Sequence, residues 1–313
     1  MIKTFKTIDE QIEILKGKGL EFDDIDYAKD VLLRENYFFL SGYRHLFLRS
    51  PKDRMFLAGT KFEELYAMFN FDRQIRNIFF KNILIVENNA KSIFSYQISK
   101  KYGIKEKDYL NPSNFDRTND KARQVNDLLK KIKRQIRING GQHSATMHYI
   151  SNYGYVPFWV VVKVLSFGLI SELFTIMKRE DQKEIAVVYG LDVENMLDYF
   201  PILANFRNLC AHEDITYDHR TQRCIDDNQY HAALSIPKVD GEYIYGKDDL
   251  FACVIVLKRL LREEDFTLLI NELSYELDIL EGKLHTIKLE KVLDRMGFPT
   301  NFREIARLDD FGN

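Results

Sequence analysis

The spacing of apolar residues is helical along most of the chain. In the clearest run, which follows Thr60, apolar side chains recur every three or four residues and neither glycine nor proline interrupts before Gly103. This pattern predicts one long helix, or two stacked helices, over residues 60–102. Such a length is typical of the central helix of a bundle.

The same spacing predicts most of the remaining secondary structure. Further helices are expected at 118–138, 143–152, 158–178, 180–189, 192–212, 248–262 and 264–282, with a short terminal pair at 284–296 and 300–308. Thr7 with Glu10, and Thr60 with Glu63, fit the capping-box pattern of a hydroxyl residue followed three positions later by a carboxylate. A strand signal is convincing only over residues 234–245, where Asp240-Gly241 would form the turn of a small hairpin.

These elements indicate an all-α fold, a helical bundle with a small hairpin insertion. The chain has 15 glycines and 6 prolines in 313 residues, fewer turn-forming residues than sandwiches or β-propellers need. Ser50-Pro51-Lys52-Asp53 marks a weak boundary. We therefore predict an N-terminal helical subdomain at 1–55, a helical domain at 56–283 and a short C-terminal helical tail at 284–313.

Charge is segregated along the chain. With 45 basic and 47 acidic residues the net charge is −2, which by itself argues against a nucleic-acid partner. Residues 117–137, however, carry eight basic and two acidic side chains, a local balance of +6, beside an apolar stripe that would dock the helix. The outward face could bind RNA phosphates, although a solvated charged surface is the alternative. The candidate RNA contacts are Lys121, Arg123, Lys130, Lys131, Lys133, Arg134 and Arg137.

A candidate catalytic group lies at the end of the helix predicted over 192–212. Asn208 and His212 are one turn apart and share a face, and Arg207 can reach the same pocket with its long side chain. The helix C-terminus and the following Glu213 and Asp214 favour a protonated imidazole. An imidazole beside a guanidinium suits phosphoryl chemistry. By itself the spacing also fits a surface arginine and a capping histidine.

Three blocks of the chain resemble a known family. Residues 35–43 are similar to the pattern N-Y-x-x-L-x-G-Y, residues 156–168 to P-x-W…L-S-F-G, and residues 206–212 to R-N-x-x-A-H, in the same order and at matching separations. They resemble the Abi-like family (AbiD/AbiF type) of bacterial abortive-infection proteins, within the HEPN ribonuclease superfamily. The first block could offer Tyr37 and Tyr43 to RNA bases, although core packing is the better interpretation of residues so apolar.

The resemblance implies a HEPN-like helical bundle in which Arg207, Asn208 and His212 form half of an endoribonuclease site. The other half would come from a second copy, so a homodimer is implied. The implied reaction is metal-independent attack of the RNA 2′-hydroxyl on the adjacent phosphate, with His212 as general acid or base, Arg207 stabilising the phosphorane and Asn208 orienting His212 or the phosphate. It also implies a silencing partner, either a structured antitoxin RNA or a protein antitoxin, and no cofactor.

Two residues are candidates for a supporting role. One departure from the family's sequence pattern leaves an alternative function open. Glu87, inside an apolar helix, could pair with Arg207 or orient His212, or be an ordinary exposed charge. Tyr217 keeps an aromatic position of the family, but Ile215 stands where the family often has arginine. Two acidic residues beside His212 would repel phosphates, so the alternative is a non-catalytic RNA-binding or protein-interaction module.

No metal, membrane or secretory signal is evident in the sequence. The histidines and aspartates at 212, 214, 218 and 219 lack a recognised metal-ligand spacing, so no metal is expected. The three cysteines form no C-x-x-C pair, which suits free thiols in a reducing compartment. The chain starts without the apolar run of a leader and has no stretch of about 20 apolar residues. We therefore expect a cytoplasmic protein without a membrane partner.

Overall fold

A computed structural model describes residues 4–50, 52, 54–118 and 120–308, and almost all of its regular structure is helical. The α-helices are α1 (Ile8–Gly17), α2 (Ile25–Glu35), α3 (Tyr37–Ser41), α4 (Phe62–Tyr102), α5 (Glu106–Tyr109), α6 (Lys121–Asn139), α7 (Ser144–Tyr153), α8 (Phe158–Val161), α9 (Phe167–Ile176), α10 (Arg179–Ala186), α11 (Val193–Ala211), α12 (Gln229–Ala233), α13 (Leu250–Leu260), α14 (Glu263–Glu281) and α15 (Leu289–Met296). Short 3₁₀ helices are Gly42–Phe47, Pro112–Asn114, Val162–Val164, Val187–Tyr189 and Phe302–Arg307. The predicted all-α class is confirmed.

The centre of the fold is α4, a single helix of 41 residues. It packs against α11 and α14 most extensively and also contacts α8, α9, α10 and α13. The long helix predicted over 60–102 is thus confirmed, and its apolar stripe is buried from Phe62 to Ile98. Several charged side chains of α4 are buried as well, and each meets a segment that lies much later in the chain.

The start of α4 differs from the predicted capping box. The hydroxyl of Thr60 donates to the carbonyl of Leu57 at 2.8 Å instead of capping the helix. Glu64, not Glu63, accepts the backbone N–H of Lys61 at 3.3 Å. Its other oxygen accepts the backbone N–H groups of residues 285 and 286, so this tertiary contact selects the later carboxylate. The box at Thr7 and Glu10 is confirmed.

The segment predicted as one helix over 158–178 is broken, and that prediction is wrong. The chain runs through α8 and a 3₁₀ turn, becomes extended at Leu165, and restarts as α9. Ser166 causes the restart, because its side chain accepts the backbone N–H of Leu169 and caps α9. The interruption lets α9 pack against both α6 and α11.

The described N-terminal and C-terminal segments pack onto the central bundle. The N-terminal helices α1 to α3 contact one another, and α3 and the following 3₁₀ helix contact α4. Pro51 and Asp53 of the predicted boundary lie outside the described residues, and the division at 55 and 283 stays a prediction. At the C-terminal end α15 begins only at Leu289, and the helix predicted over 300–308 is a 3₁₀ helix over Phe302–Arg307.

The predicted hairpin is confirmed. Strand β1 (Lys238–Val239) pairs antiparallel with β2 (Glu242–Tyr243), Lys238 opposite Tyr243 and Val239 opposite Glu242. The turn residues Asp240 and Gly241 both have positive φ angles, 52° and 89°, as a two-residue hairpin turn requires. The remaining predicted helices exist with ends shifted by up to three residues: α6, α7, α10, α11, α13 and α14.

A buried carboxylate closes the C-terminal part of the bundle. Asp249 caps α13 by accepting the backbone N–H of Ala252 at 2.9 Å, and it accepts that of Gly246 at 2.9 Å. Gly297, with φ of 79°, packs so closely that an added Cβ would lie 2.0 Å from a carboxylate oxygen of Asp249. Burial raises the pKa of Asp249 to about 6. Along the described part of the chain, no helix combines the length and apolarity needed to cross a membrane.

Candidate functional site: the C-terminus of α11

Helix α11 carries the candidate catalytic residues at its last turn. Asp192 caps its start by accepting the backbone N–H of Asn195 at 2.7 Å. Asn208 and His212 are both exposed, and the backbone N–H of His212 donates to the carbonyl of Asn208 at 3.0 Å. Neither side chain has a partner among the described residues. The helix therefore presents an amide and an imidazole, one turn apart, on an open surface.

The helix ends in a Schellman motif directly after His212. The backbone N–H of Asp214 donates to the carbonyl of Leu209 at 3.1 Å, and that of Glu213 donates to Cys210 at 3.4 Å. Glu213 adopts a φ of 58° in the left-handed region, a position where glycine is usual. His212 is thus the C-cap residue, and the direction of its side chain depends on this turn.

Arg207 points the other way, toward α4. Its Nε donates to Oε2 of Glu87 at 3.2 Å, and its guanidinium carbon lies 5.7 Å from the ring centroid of Phe80. Lys91 holds the second oxygen of Glu87 at 2.7 Å. The Glu87 side chain is only 4% exposed, and that of Arg207 is 27% exposed. Glu87 is therefore a buried anchor for Arg207, and the interpretation as an ordinary exposed charge is wrong.

Sequence reasoning missed Lys91, whose side chain is only 13% exposed. Its position four residues after Glu87 is the spacing at which a glutamate and a lysine pair on a helix. That spacing alone does not show burial, because most such pairs are on surfaces. In this fold, two cations share one carboxylate that the bundle removes from water.

The segment that follows His212 is fixed to α4 by a second buried carboxylate. Asp72 accepts the backbone N–H groups of Thr216 at 3.2 Å and Tyr217 at 2.8 Å, and it pairs with Arg76. Arg76 also donates to the carbonyl of Asp214 at 3.5 Å. Neither Asp72 nor Arg76 was a sequence candidate, because a pair spaced by four residues on a helix is usually exposed.

The first family block meets the segment that follows the third block at this carboxylate. The hydroxyl of Tyr43 donates to Asp72 at 2.7 Å and receives a hydrogen bond from Arg76 at 3.1 Å. Burial and the Asp72 carboxylate raise the pKa of Tyr43, so its hydroxyl keeps the proton that it donates. Gly42 lies against Ile215, since an added Cβ would be 2.5 Å from its Cδ1 atom. The predicted core role of Tyr43 is confirmed.

Tyr217 is also an interior residue. Its ring is fully buried and stacks on that of Tyr43 with centroids 5.9 Å apart. Its hydroxyl has no hydrogen-bond partner among the described residues. Tyr217 can therefore support the site only by fixing the chain after His212. Tyr37 is partly buried, and its hydroxyl accepts a hydrogen bond from Lys18 at 3.4 Å.

The basic helix α6 docks as predicted, with Val125, Leu128, Leu129 and Ile132 buried. Its cations divide into two groups. Lys121 is paired with Asp116 at 3.0 Å and Lys131 with Glu172 of α9 at 2.8 Å. The others share one exposed helix face, which we call the basic face: Arg123, Lys130, Lys133, Arg134 and Arg137.

The cations of the basic face are mostly free. Arg123 and Lys130 are each 3.8 Å from Asp127, a weak and exposed contact. The last three, Lys133, Arg134 and Arg137, have no ion-pair partner within the described ranges. Helix α6 packs on α9, and α9 packs on α11, so the basic face belongs to the same bundle as the motif without adjoining it.

Two grooves border α11. The first has a volume of about 490 Å³ and lies between α6 and α9. The second, of about 380 Å³, is lined by Asn205 and His219, whose side chains are 2.7 Å apart. Pro201 and Arg223 line both grooves. Pro201, Asn205, Asn208 and His212 follow one another at helical spacing, so Pro201 and Asn205, which line the grooves, share a face of α11 with Asn208 and His212.

Other chemistries find little support at this site. Burial, followed by the charge of Asp72, raises the pKa of Cys210 to about 12, so its thiol stays protonated. No cluster of three or more histidine, cysteine, aspartate or glutamate side chains is placed to hold a metal within the described part of the chain. The three cysteines are free.

The three blocks that suggested a family all pack around α4, the central helix of this all-α fold. The third block forms the end of α11. The family model described as Abi-like protein matches residues 30–218, which is more than half of the chain. The chain therefore belongs to the Abi-like family, and the resemblance is confirmed at this level. Comparison with curated proteins and with solved structures gives no match. The family suggests a function in abortive infection.

Proposed function

We propose that this protein is a metal-independent endoribonuclease of the HEPN type that serves a bacterial anti-phage abortive-infection or toxin–antitoxin system. One observation carries the proposal. Arg207 is anchored on Glu87 through Nε alone, while Asn208 and His212 stand uncovered on the same helix. The last two turns of α11 thus carry a phosphate-binding group directed toward α4 and a proton-transfer group on the open surface.

Arg207 is suited to stabilise a phosphorane. Because Glu87 uses only Nε, the two terminal nitrogens have no partner among the described residues and remain available to a phosphate oxygen. The Glu87 carboxylate fixes the guanidinium in place before RNA binds. A preorganised donor of this kind needs no reorganisation as charge develops on the non-bridging oxygens.

His212 supplies the proton transfer. In the proposed reaction one imidazole takes the proton of the 2′-hydroxyl while the 2′-oxygen bonds to phosphorus. A protonated imidazole gives its proton to the 5′-oxygen as the phosphorus–oxygen bond breaks. The products carry a 2′,3′-cyclic phosphate and a 5′-hydroxyl. DNA lacks the attacking hydroxyl and is not a substrate.

A single His212 cannot be both base and acid in the same step, so the proposal requires two copies of the chain. A two-fold axis beside the exposed face of α11 brings His212 of one protomer near His212 of the partner subunit. Asn208, on the same face, would orient the imidazole or the phosphate. The homodimer and the composite site are parts of this proposal.

RNA is the proposed partner of the basic face and of the two grooves that border α11. The face adds positive charge on a rigid helix, which suits the phosphate backbone rather than a base sequence. A toxic ribonuclease also needs restraint in its host. An antitoxin, either a structured RNA or a protein, is therefore a proposed partner, and the cytoplasm is the proposed location.

Cleavage in EDTA tests the reaction. The purified chain is incubated with single-stranded RNA, and the ends are analysed for 2′,3′-cyclic phosphate. We expect cleavage that is lost in Arg207→Ala and His212→Ala and retained in His143→Ala, which changes a histidine outside the motif. Absence of cleavage in the wild-type protein, or cleavage retained in His212→Ala, would overturn the proposal.

Mixing tests the composite site. Wild-type protein is exchanged with increasing amounts of inactive His212→Ala protein, and activity is measured. If both protomers supply a histidine, the activity falls with the square of the wild-type fraction. A linear decrease contradicts the composite site.

A specific observation favours one alternative. Glu213 and Asp214 are exposed directly beside His212, and both would repel an RNA phosphate. A non-catalytic RNA-binding or protein-interaction module fits these charges. It predicts RNA binding by the wild-type protein with no cleavage and no change in toxicity when Arg207 or His212 is replaced by alanine.

A further inference from the structure

The turn after His212 holds a strained residue. Glu213 is a non-glycine residue with φ of 58°, a left-handed conformation that is disfavoured relative to the right-handed region. Such residues persist where the surrounding structure fixes them. The two hydrogen bonds of the Schellman motif bind the turn to α11, and contacts further along the chain must supply the rest.

Those contacts come from α4 and the N-terminal part of the chain. Asp72 accepts the backbone N–H groups of residues 216 and 217, and Arg76 donates to the carbonyl of Asp214. The hydroxyl of Thr216 donates to the same carbonyl at 3.0 Å. The turn is thus held from both sides, by α11 before it and by Asp72 and Arg76 after it.

Tyr43 completes the cluster. The Asp72 side chain is fully buried, so every donor around it offsets part of the cost of removing a carboxylate from water. Tyr43 supplies one such donor from a segment that precedes α4. Its neighbour Gly42 allows Ile215 to pack at a distance that a larger residue would prevent.

We propose that Tyr43, Asp72 and Arg76 are positioning residues for His212: they fix the chain after the motif, hold Glu213 in its left-handed conformation and thereby set the direction of the imidazole. The arrangement itself is independent of the reaction, but its catalytic consequence rests on the proposed function. None of the three residues is placed to touch RNA, because Tyr43, Asp72 and Arg76 are all buried.

A pair of tyrosine substitutions tests this inference. Tyr43→Phe removes the hydroxyl and keeps the ring that stacks on Tyr217. Tyr109→Phe is the matched control, since Tyr109 is also fully buried and its hydroxyl donates to the carbonyl of Val156, away from α11. Hydrogen exchange of the backbone amides of Thr216 and Tyr217, the ¹H–¹³C NMR signal of the His212 ring, and RNA cleavage are measured for each.

We expect faster exchange of both amides and a shifted or broadened His212 signal in Tyr43→Phe, and neither change in Tyr109→Phe. The kcat of Tyr43→Phe should fall by about 10- to 100-fold, the range for misplaced catalytic groups. KM should stay within about twofold, because substrate binding is not affected. Asp72→Asn should reproduce the amide and NMR changes.

A second substitution distinguishes positioning from general loss of stability. Glycine adopts the left-handed conformation without strain, so Glu213→Gly should restore part of the lost kcat in the Tyr43→Phe background. Glu213→Gln is the control, because it removes the same negative charge and keeps the strain. Equal recovery in both double variants would attribute the effect to charge and overturn the inference.

Other outcomes also decide the matter. If the amides exchange faster in Tyr43→Phe while the His212 signal and kcat are unchanged, the cluster does not position His212. If the amides stay protected, the cluster does not hold the turn. If the wild-type chain does not cleave RNA, the proposed function fails, and the exchange and NMR measurements still decide whether the cluster directs His212.

Discussion

The ion pair between Glu87 and Arg207 makes a quantitative prediction about stability. Glu87→Gln removes the charge that two cations share at a side chain only 4% exposed. Breaking a fully buried pair costs about 3–5 kcal/mol. Arg207 retains 27% exposure and its freed guanidinium can turn to water, so we expect a smaller loss of unfolding free energy, about 2 kcal/mol. For a chain of 313 residues this lowers Tm by about 3 °C.

A double-mutant cycle isolates the pair itself. The unfolding free energies of Glu87→Gln, Arg207→Gln and the double variant are measured by thermal and chemical denaturation. We expect a coupling energy of about 1 kcal/mol or more. Lys81 and Glu272 provide the matched control, since they join α4 to α14 at 2.6 Å with side chains 47% and 33% exposed. Their coupling should be below about 0.5 kcal/mol.

The comparison of the two cycles gives the refuting result. If Glu87 and Arg207 couple no more strongly than Lys81 and Glu272, then burial does not strengthen the pair. Arg207 would then not be a preorganised group, and the account of its role in stabilising a phosphorane would lose its physical basis.

Two further predictions concern charge. Replacing Lys133, Arg134 and Arg137 by glutamine should weaken RNA binding and reduce the slope of log K against log salt by about 2, because each phosphate contact on a single strand contributes about 0.7. The control neutralises three cations of α1 and α2: Lys16, Lys29 and Arg34. An unchanged slope would contradict RNA binding by the basic face. For Asp249, the folded-state pKa of about 6 lies above the ordinary 3.8. The contribution of Asp249 to the unfolding free energy is therefore fully present below pH 4. The unfolding free energy falls by up to about 3 kcal/mol as the pH rises through 6. Asp249→Asn should lack this loss, and a pH-independent difference between the two proteins would contradict it.

Elements governed by local pattern could be predicted from the sequence. The helix α4 has an uninterrupted apolar stripe, and the hairpin has a turn that only a few residue types form. The break before α9 was missed because the apolar spacing continues across Leu165. The signal that could have revealed it is Ser166, a capping residue inside an otherwise apolar run.

The candidate site could be predicted only in part. Arg207, Asn208 and His212 are close in sequence, so helical geometry relates them directly. The groups that hold them are not close. Glu87 is 120 residues from Arg207, and Asp72 is 145 residues from Tyr217. Whether such a carboxylate is exposed or buried depends on tertiary packing, which no local sequence pattern encodes. The ion pairs of Lys121 and Lys131 also depend on the fold, so the sequence could not separate these two lysines from the basic face.

Helix α4 has a consequence for synthesis of the chain. Its three buried carboxylates, Glu64, Asp72 and Glu87, each receive donors from residues made much later, at 285–286, 216–217 and 207. A nascent or truncated chain that stops before α11 leaves these carboxylates without the donors from the later segments, which opposes burial of the helix. A shortened product should therefore not assemble a working site. Under the proposed ribonuclease function, the order of residues along the chain would delay the toxic activity until most of the molecule has been made.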